Sequence, residues 1–396
     1  MNAVVIVGTG IAGITAAETL RAEGFSGTVT VLGAEDAPPY RRPTVSKDVL
    51  LGTSTAAKVQ LRAADYWSER DIDVRTAVVA AEVDARGRAV RLGTGERLPF
   101  DALLLATGAR ARTLDHDAGV AVLSLRSLAD VTPLRTAIDR GTGVLVVGAG
   151  LIGSEVAAAA RELGAEVTML ESAAAPLHRV LPPTVGELYA RMHRERGVAL
   201  HTSVRLAGLT SDGDGAVLAR ADDGRTWTAG AALLAVGSVP DTRLAEVAGL
   251  TVDDGIVVDE QFRTSAPGIF AAGDAANRRC LFRGERGRTE HWNSAQAQGA
   301  AAARSMLASL SGSVAPVWSE VPMCWSSQYG RTLQIAGWPR ADDAVEVHGD
   351  VDAFDFIALT RRGGRLVGAV AIGRPKELRE ARSRIAQDWE FDASQA

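Results

Sequence analysis

Short apolar runs and Ala-rich helical stretches alternate along most of the chain, and the same opening occurs twice. Val4-Val5-Ile6-Val7 and Val144-Leu145-Val146-Val147 each read as a strand that ends in a glycine turn, and each turn opens a helical pattern. The turns are Gly8-Thr9-Gly10-Ile11-Ala12-Gly13 and Gly148-Ala149-Gly150-Leu151-Ile152-Gly153, both of the form G-x-G-x-x-G. The first glycine permits the bend, the second lets backbone approach a pyrophosphate, and the third lets helix pack on strand. The free N–H groups at the helix start then hold the anion. One such turn is a weak signal. Two point to two dinucleotides on one chain.

The pattern between the turns sets the organisation. Residues 1–110 read as β-α-β, a Pro-rich stretch, a helix near Ala63–Arg70, and the strand Leu103–Leu105 running into Ala106-Thr107-Gly108. Residues 143–240 repeat the plan, with the strand Glu166–Leu170 and a later one, Leu233-Leu234-Ala235-Val236-Gly237. Gly268-Ile269-Phe270-Ala271-Ala272-Gly273-Asp274 precedes an Ala-rich helix, Ser294–Leu310. Strands Thr332–Ala336, Phe354–Thr360 and Leu366–Ile372 follow, the last two around the turn signal Gly363-Gly364. An Arg-rich helix, Glu377–Gln387, comes last. The expected class is α/β: two Rossmann-like dinucleotide-binding domains plus a small C-terminal α+β domain.

Composition narrows the function classes. The 396 residues are 46% apolar and 23% charged, as in an ordinary globular protein, and a net charge of −5 gives no electrostatic reason for nucleic acid. No apolar run reaches the ~18 residues of a membrane span, and Val4 enters a strand with no basic segment before it. Two cysteines, Cys280 and Cys324, and scattered histidines form neither a disulfide framework nor a metal-spaced set. A cytoplasmic, metal-free protein without nucleic-acid or membrane partners is expected. Lysine occurs only at 47, 58 and 376, so a lysine inside a motif stands out.

The two turns differ in their surroundings. After the second turn the strand Val167–Leu170 ends at Glu171, which suits the ribose of NADH and repels the 2′-phosphate of NADPH. After the first, Glu35 follows the strand Val29–Leu32. A strand ending Gly273-Asp274 before a helix, paired with Ala106-Thr107-Gly108, marks the first unit as the FAD site.

These motifs, with Pro39-Tyr40-Arg41-Arg42-Pro43-Thr44-Val45-Ser46-Lys47, Gly153-Ser154-Glu155 and Met323-Cys324-Trp325-Ser326-Ser327-Gln328, give a resemblance over essentially the whole length. The chain resembles the FAD-dependent NADH:ferredoxin reductases of oxygenase systems, which have a glutathione-reductase-like architecture. The resemblance implies an FAD domain of residues 1–110 and 241–315, an NADH domain of 111–240, and a C-terminal domain of 316–396. It implies Lys47 beside flavin N5, paired with Glu155, and Trp325 packed on the flavin–nicotinamide stack. It also implies FAD contacts from Arg42, Arg126, Trp292 and the backbone of Ala80, and cofactor contacts from the two glycine turns with Ala12, Ile152 and Gly237. Hydride would pass from NADH to flavin N5, and single electrons would go to a small acidic iron–sulfur ferredoxin feeding a cytochrome P-450 monooxygenase or a dioxygenase.

Some positions depart from the family pattern. Ala34 stands where relatives often carry an acid, Arg41 where Asp is frequent, and Met323 and Cys324 where aromatic residues are favoured. No C-x-x-x-x-C pair occupies Tyr40–Lys47, so electrons have no internal dithiol to visit and leave the flavin directly. Docking of an acidic ferredoxin is expected on the Arg-rich loop, at Arg283, Arg286 and Arg288, on a monomer or weak dimer. Two alternatives use the same scaffold. One is a reductase of another acceptor, such as rubredoxin, a nitrite reductase or monodehydroascorbate. The other is a redox-responsive interaction flavoprotein like apoptosis-inducing factor.

Overall fold

The computed structural model describes residues 2–280 and 285–388. Two five-stranded, all-parallel sheets carry the architecture. The first is ordered Ile269–Ala271, Ala102–Leu105, Ala3–Val7, Thr28–Leu32, Ile72–Arg75; the second is ordered Val198–His201, Val167–Leu170, Val144–Val147, Ala231–Leu234, Val122–Leu123. Parallel sheets are covered on both faces, so their central strands are apolar at every position. Val4–Val7 and Val144–Val147 are buried throughout, in register with Ala102–Leu105 and Ala231–Leu234 respectively.

The first sheet is interrupted in sequence. The chain leaves it through Ala109–Ala111, builds the second sheet, and returns through Ser238–Pro240, which pairs antiparallel with the outgoing strand. Ile269–Ala271 then adds to the edge of the first sheet beside Ala102–Leu105. The 20-residue helix Trp292–Ser311 crosses helix Ile11–Ala22 closely, because Gly299 lies where a Cβ would come 2.1 Å from the Ala12 carbonyl oxygen. An antiparallel five-stranded sheet, Met323–Gln328, Arg331–Gly337, Arg365–Ile372, Asp355–Arg362 and Ala344–Asp350 in spatial order, is backed by helix Pro375–Asp388.

One expected element differs. The helix read near Ala63–Arg70 is two single 3₁₀ turns, Ala64–Tyr66 and Ser68–Arg70. Eight residues are too few to propagate an α-helix unaided, and Asp71, with φ +52°, turns the chain at once into strand Ile72–Arg75. Trp67 pins the segment to the first core. None of the helices in the described residues is long and apolar enough to cross a membrane.

Candidate functional site

A cavity of 660 Å³ opens where the first sheet's carboxyl ends meet helix Leu151–Glu162 and strand Met323–Gln328. This is the size of a small-molecule site. Its floor is the first glycine turn, whose three glycines do different jobs. A Cβ on Gly8, at φ +123°, would lie 2.0 Å from the Ala106 carbonyl oxygen, and one on Gly13 would lie 2.0 Å from that of Gly8. A Cβ on Gly10 would meet nothing within 4 Å. Gly10 also caps helix Ile11–Ala22 without a side-chain hydrogen bond, so the helix presents bare N–H groups to the cavity. Two large apolar side chains, Val79 and Ile152, are 51% and 38% exposed, and both line this same cavity. An open anion cradle beside uncovered apolar wall fits a dinucleotide with a flat ring system such as FAD.

The polar walls are already cross-linked. Arg42 donates to Glu35 at 2.5 Å and to the Arg126 carbonyl at 2.6 Å. Burial pushes the Tyr40 phenol up, keeping it a donor, and its hydroxyl lies 2.6 Å from the other Glu35 oxygen. Arg126 donates to Asp274 at 2.6 Å. The cavity therefore collects Gly8, Gly10, Ala12, Glu35, Arg42, Ala80, Ala106, Thr107, Gly108, Arg126, Gly273, Asp274 and Trp292 from segments spread over most of the sequence. Trp292 stands at the first turn of its helix, with the N-terminus facing the cavity. The Ala80 carbonyl accepts from Arg243 at 3.3 Å.

Lys47 lies in a π-helical turn, Val45–Val49, that follows Pro43; such turns recur at functional sites. Its Nζ donates to Glu155 Oε2 at 2.6 Å, with the lysine side chain 16% exposed and the glutamate 4%. Glu155 sits on the first turns of helix Leu151–Glu162, placed there by the second glycine turn. Its carboxylate gathers four donors. Ser46 Oγ shares Oε2 with Lys47, while Ser326 Oγ donates to Oε1 at 2.8 Å and the Ser327 N–H at 3.4 Å. Ser46 and Lys47 come from the first unit, Glu155 from the second, and Ser326 from the C-terminal sheet. Four donors on one buried carboxylate offset the cost of taking it out of water. The strand Met323–Gln328 alternates, so Cys324, Ser326 and Gln328 are buried while Trp325 is half-buried and lines the cavity. Burial pushes the Cys324 thiol up to about 12, so it stays protonated beside Glu155.

The glycines of the second turn lie outside this cavity, although Leu151 and Ile152 between them line it. Gly148 has φ +99°, and a Cβ on Gly153 would come 1.9 Å from the Gly148 carbonyl oxygen, while Gly150, like Gly10, faces open space. Gly237, at φ +105°, accepts from the Arg112 N–H. Glu171 is 5% exposed rather than a solvated strand end. Its Oε2 receives the Ala149 N–H at 2.7 Å, and its Oε1 receives the Ala173 N–H at 2.8 Å. A carboxylate offers about four acceptor positions, so capacity for a ribose hydroxyl is left.

The structure corrects the docking expectation at Arg288 alone. Arg283 lies outside the described residues. Arg286 reaches back to the Val258 carbonyl at 2.9 Å. Arg288 has a side chain only 11% exposed and is paired with Asp254 and Glu290, which consumes its charge internally. It lines a second cavity of 390 Å³ instead of an open docking face.

Sequence reasoning assigned no role to Ser46, Ser326, Gln328 or Tyr40. All four sit inside the quoted motifs, and the period of two along Met323–Gln328 places Ser326 and Gln328 opposite Trp325.

Residues 2–299 match the pyridine nucleotide-disulphide oxidoreductase family, and residues 323–396 match a reductase C-terminal family. The ferredoxin–NAD(+) reductase component of the anthranilate 1,2-dioxygenase system of Burkholderia cepacia is 37% identical, covering 96% of this chain and 93% of its own. Putidaredoxin reductase of Pseudomonas putida is 33% identical over 97% of this chain and 92% of its own. Among solved structures, the covalent putidaredoxin reductase–putidaredoxin complex superposes with a TM-score of 0.91 at 32% identity, covering 98% of this chain and 93% of that one.

Proposed function

From the premise that this chain belongs to the pyridine nucleotide-disulphide oxidoreductase family, among its ferredoxin–NAD(+) reductases, we propose its reaction and the residues that carry it. It is an FAD-dependent oxidoreductase that moves electrons from NADH to a small iron–sulfur ferredoxin serving an oxygenase. FAD, when bound, takes two electrons from the nicotinamide and releases them singly. The overall reaction balances as NADH and two oxidised ferredoxins giving NAD⁺, two reduced ferredoxins and one proton.

The first glycine turn would hold FAD, with the N–H groups after Gly10 available to its pyrophosphate and the carboxylates of Glu35 and Asp274 to its hydroxyls. Arg42 and Arg126, engaged with those two carboxylates, line the same cavity and would bring positive charge to the phosphates. NADH is held by Gly148–Gly153 with Glu171. Lys47 supplies a fixed positive charge, oriented by Glu155, where negative charge gathers during reduction. Trp325 excludes water from that contact and Ile152 supplies apolar wall. The domains run over 1–110 with 241–315, then 111–240, then 316–396, with the strand pair Ala109–Ala111 and Ser238–Pro240 as the crossing point. A cytoplasmic setting belongs to the same reading, supported by two free thiols.

The observation that carries this reading is the Lys47–Glu155 pair, where all three units converge beside the cavity. Steady-state turnover with NADH and a two-iron ferredoxin tests it. Reduction of ferredoxin that depends on added FAD supports the assignment. Flavin reduction without onward transfer to any ferredoxin overturns it.

A further inference from the structure

We propose that His193 is a positioning residue for the Lys47–Glu155 centre: its ring fixes the Gln328 amide, which turns the Ser326 hydroxyl onto Glu155. The effect on rate rests on the role given above to Lys47; the hydrogen-bond order does not.

His193 lies on helix Pro183–Glu195, which packs against the C-terminal sheet, and is fully buried. Burial lowers its pKa to about 4, so the ring is neutral and offers one donor and one acceptor. Nδ1 is 3.0 Å from the Tyr329 hydroxyl. Burial raises the pKa of that phenol, leaving a proton for it to donate. Tyr329 adopts φ +52° ahead of Gly330, a turn position where a bulky residue is unusual. Its contact with His193 gives a reason for a tyrosine there.

Nε2 of His193 and Oε1 of Gln328 are both buried without a hydrogen-bond partner, and the ring faces the Gln328 side chain. One is a donor if Nδ1 accepts from Tyr329; the other is an acceptor. They complement each other, directly or through one water. Gln328 Nε2 is 3.1 Å from Ser326 Oγ, and Ser326 Oγ is 2.8 Å from Glu155 Oε1. Every proton then points the same way, from Tyr329 through His193, Gln328 and Ser326 to Glu155. Aligned chains of this kind polarise and strengthen one another. With the opposite tautomer, Nε2 would require the Gln328 amide to turn over. Gln328 would then present its oxygen to Ser326, and the serine hydroxyl would be drawn away from Glu155.

Two measurements on the FAD-loaded protein test this. Nitrogen-15 NMR of the histidines should show His193 protonated at Nε2; protonation at Nδ1 overturns the proposal without any variant. Stopped-flow reduction by NADH, with the FAD midpoint potential, is then compared for Ser326→Ala, Gln328→Met, the double variant and Lys47→Met. Ser326→Ala and Gln328→Met should each slow reduction about tenfold, the size expected for a hydrogen bond to a charged group. The double variant should be no slower than the slower single one. Both singles should lower the midpoint potential, since a carboxylate relieved of Ser326 draws more of Lys47's charge onto itself. A slow Lys47→Met enzyme beside unchanged Ser326→Ala and Gln328→Met enzymes overturns the chain alone. An unchanged Lys47→Met enzyme overturns the reading beneath it as well.

Discussion

Gly13 and Gly8 lie in contact, so close that a Cβ on Gly13 would sit 2.0 Å from the Gly8 carbonyl oxygen, while a Cβ on Gly10 between them would touch nothing. The same motif therefore mixes a packing requirement with a ligand requirement, and substitution separates them. Gly13→Ala should lower the apoprotein's thermal stability by about 2 kcal/mol, as overpacking against backbone does. Gly10→Ala should leave that stability unchanged and weaken FAD at least about tenfold, because the methyl stands where the pyrophosphate approaches. Thermal unfolding of the apoprotein and flavin-fluorescence titration distinguish the two. Wild-type FAD affinity in Gly10→Ala would remove the first turn from the cofactor site.

Glu171 has two tasks, one visible in the structure and one inferred from its strand-end position. Its oxygens accept the Ala149 and Ala173 N–H groups. Glu171→Gln places an amide donor against one of those N–H groups and removes the charge that repels a 2′-phosphate. Stability should fall by about 1–3 kcal/mol for the buried donor left unpaired. KM for NADH should rise about tenfold while that for NADPH holds or falls. Steady-state kinetics with both nucleotides check this, and an unchanged preference would assign Glu171 to structure only.

His193 makes stability depend on pH. Its folded pKa is lowered by burial to about 4, against 6.5 for the free side chain. Between those values the unfolded chain binds a proton that the folded protein refuses, so stability rises with pH across that window. Relative to neutral pH, about 3 kcal/mol should be lost by pH 4. Denaturant unfolding of wild type and His193→Phe from pH 4 to 7 isolates the contribution. Parallel curves would show that His193 is protonated in the folded state as readily as in the unfolded one.

Much of this was legible because it is periodic or local. The parallel strands Val4–Val7 and Val144–Val147 announce themselves as unbroken apolar runs, and the glycine turns follow at fixed offsets. The helical pattern at Ala63–Arg70 does not yield an α-helix, since its short length and the left-handed Asp71 outweigh it. The sequence offers Arg288 as part of a basic docking loop, and only the fold brings Asp254 and Glu290 against it. The four-donor shell of Glu155 was hidden for the same reason. Ser46 and Ser326 stand 109 and 171 residues from it, and no local pattern encodes such a meeting.

The central claim is that Lys47, oriented by Glu155, provides the fixed charge that speeds electron entry. Stopped-flow reduction of the FAD-loaded Lys47→Met variant by NADH tests it most directly, with bound FAD measured in the same sample. Full FAD occupancy is expected, with reduction slowed by about 10²-fold, the usual cost of removing a preorganised electrostatic partner. Reduction at the wild-type rate with FAD bound would contradict it.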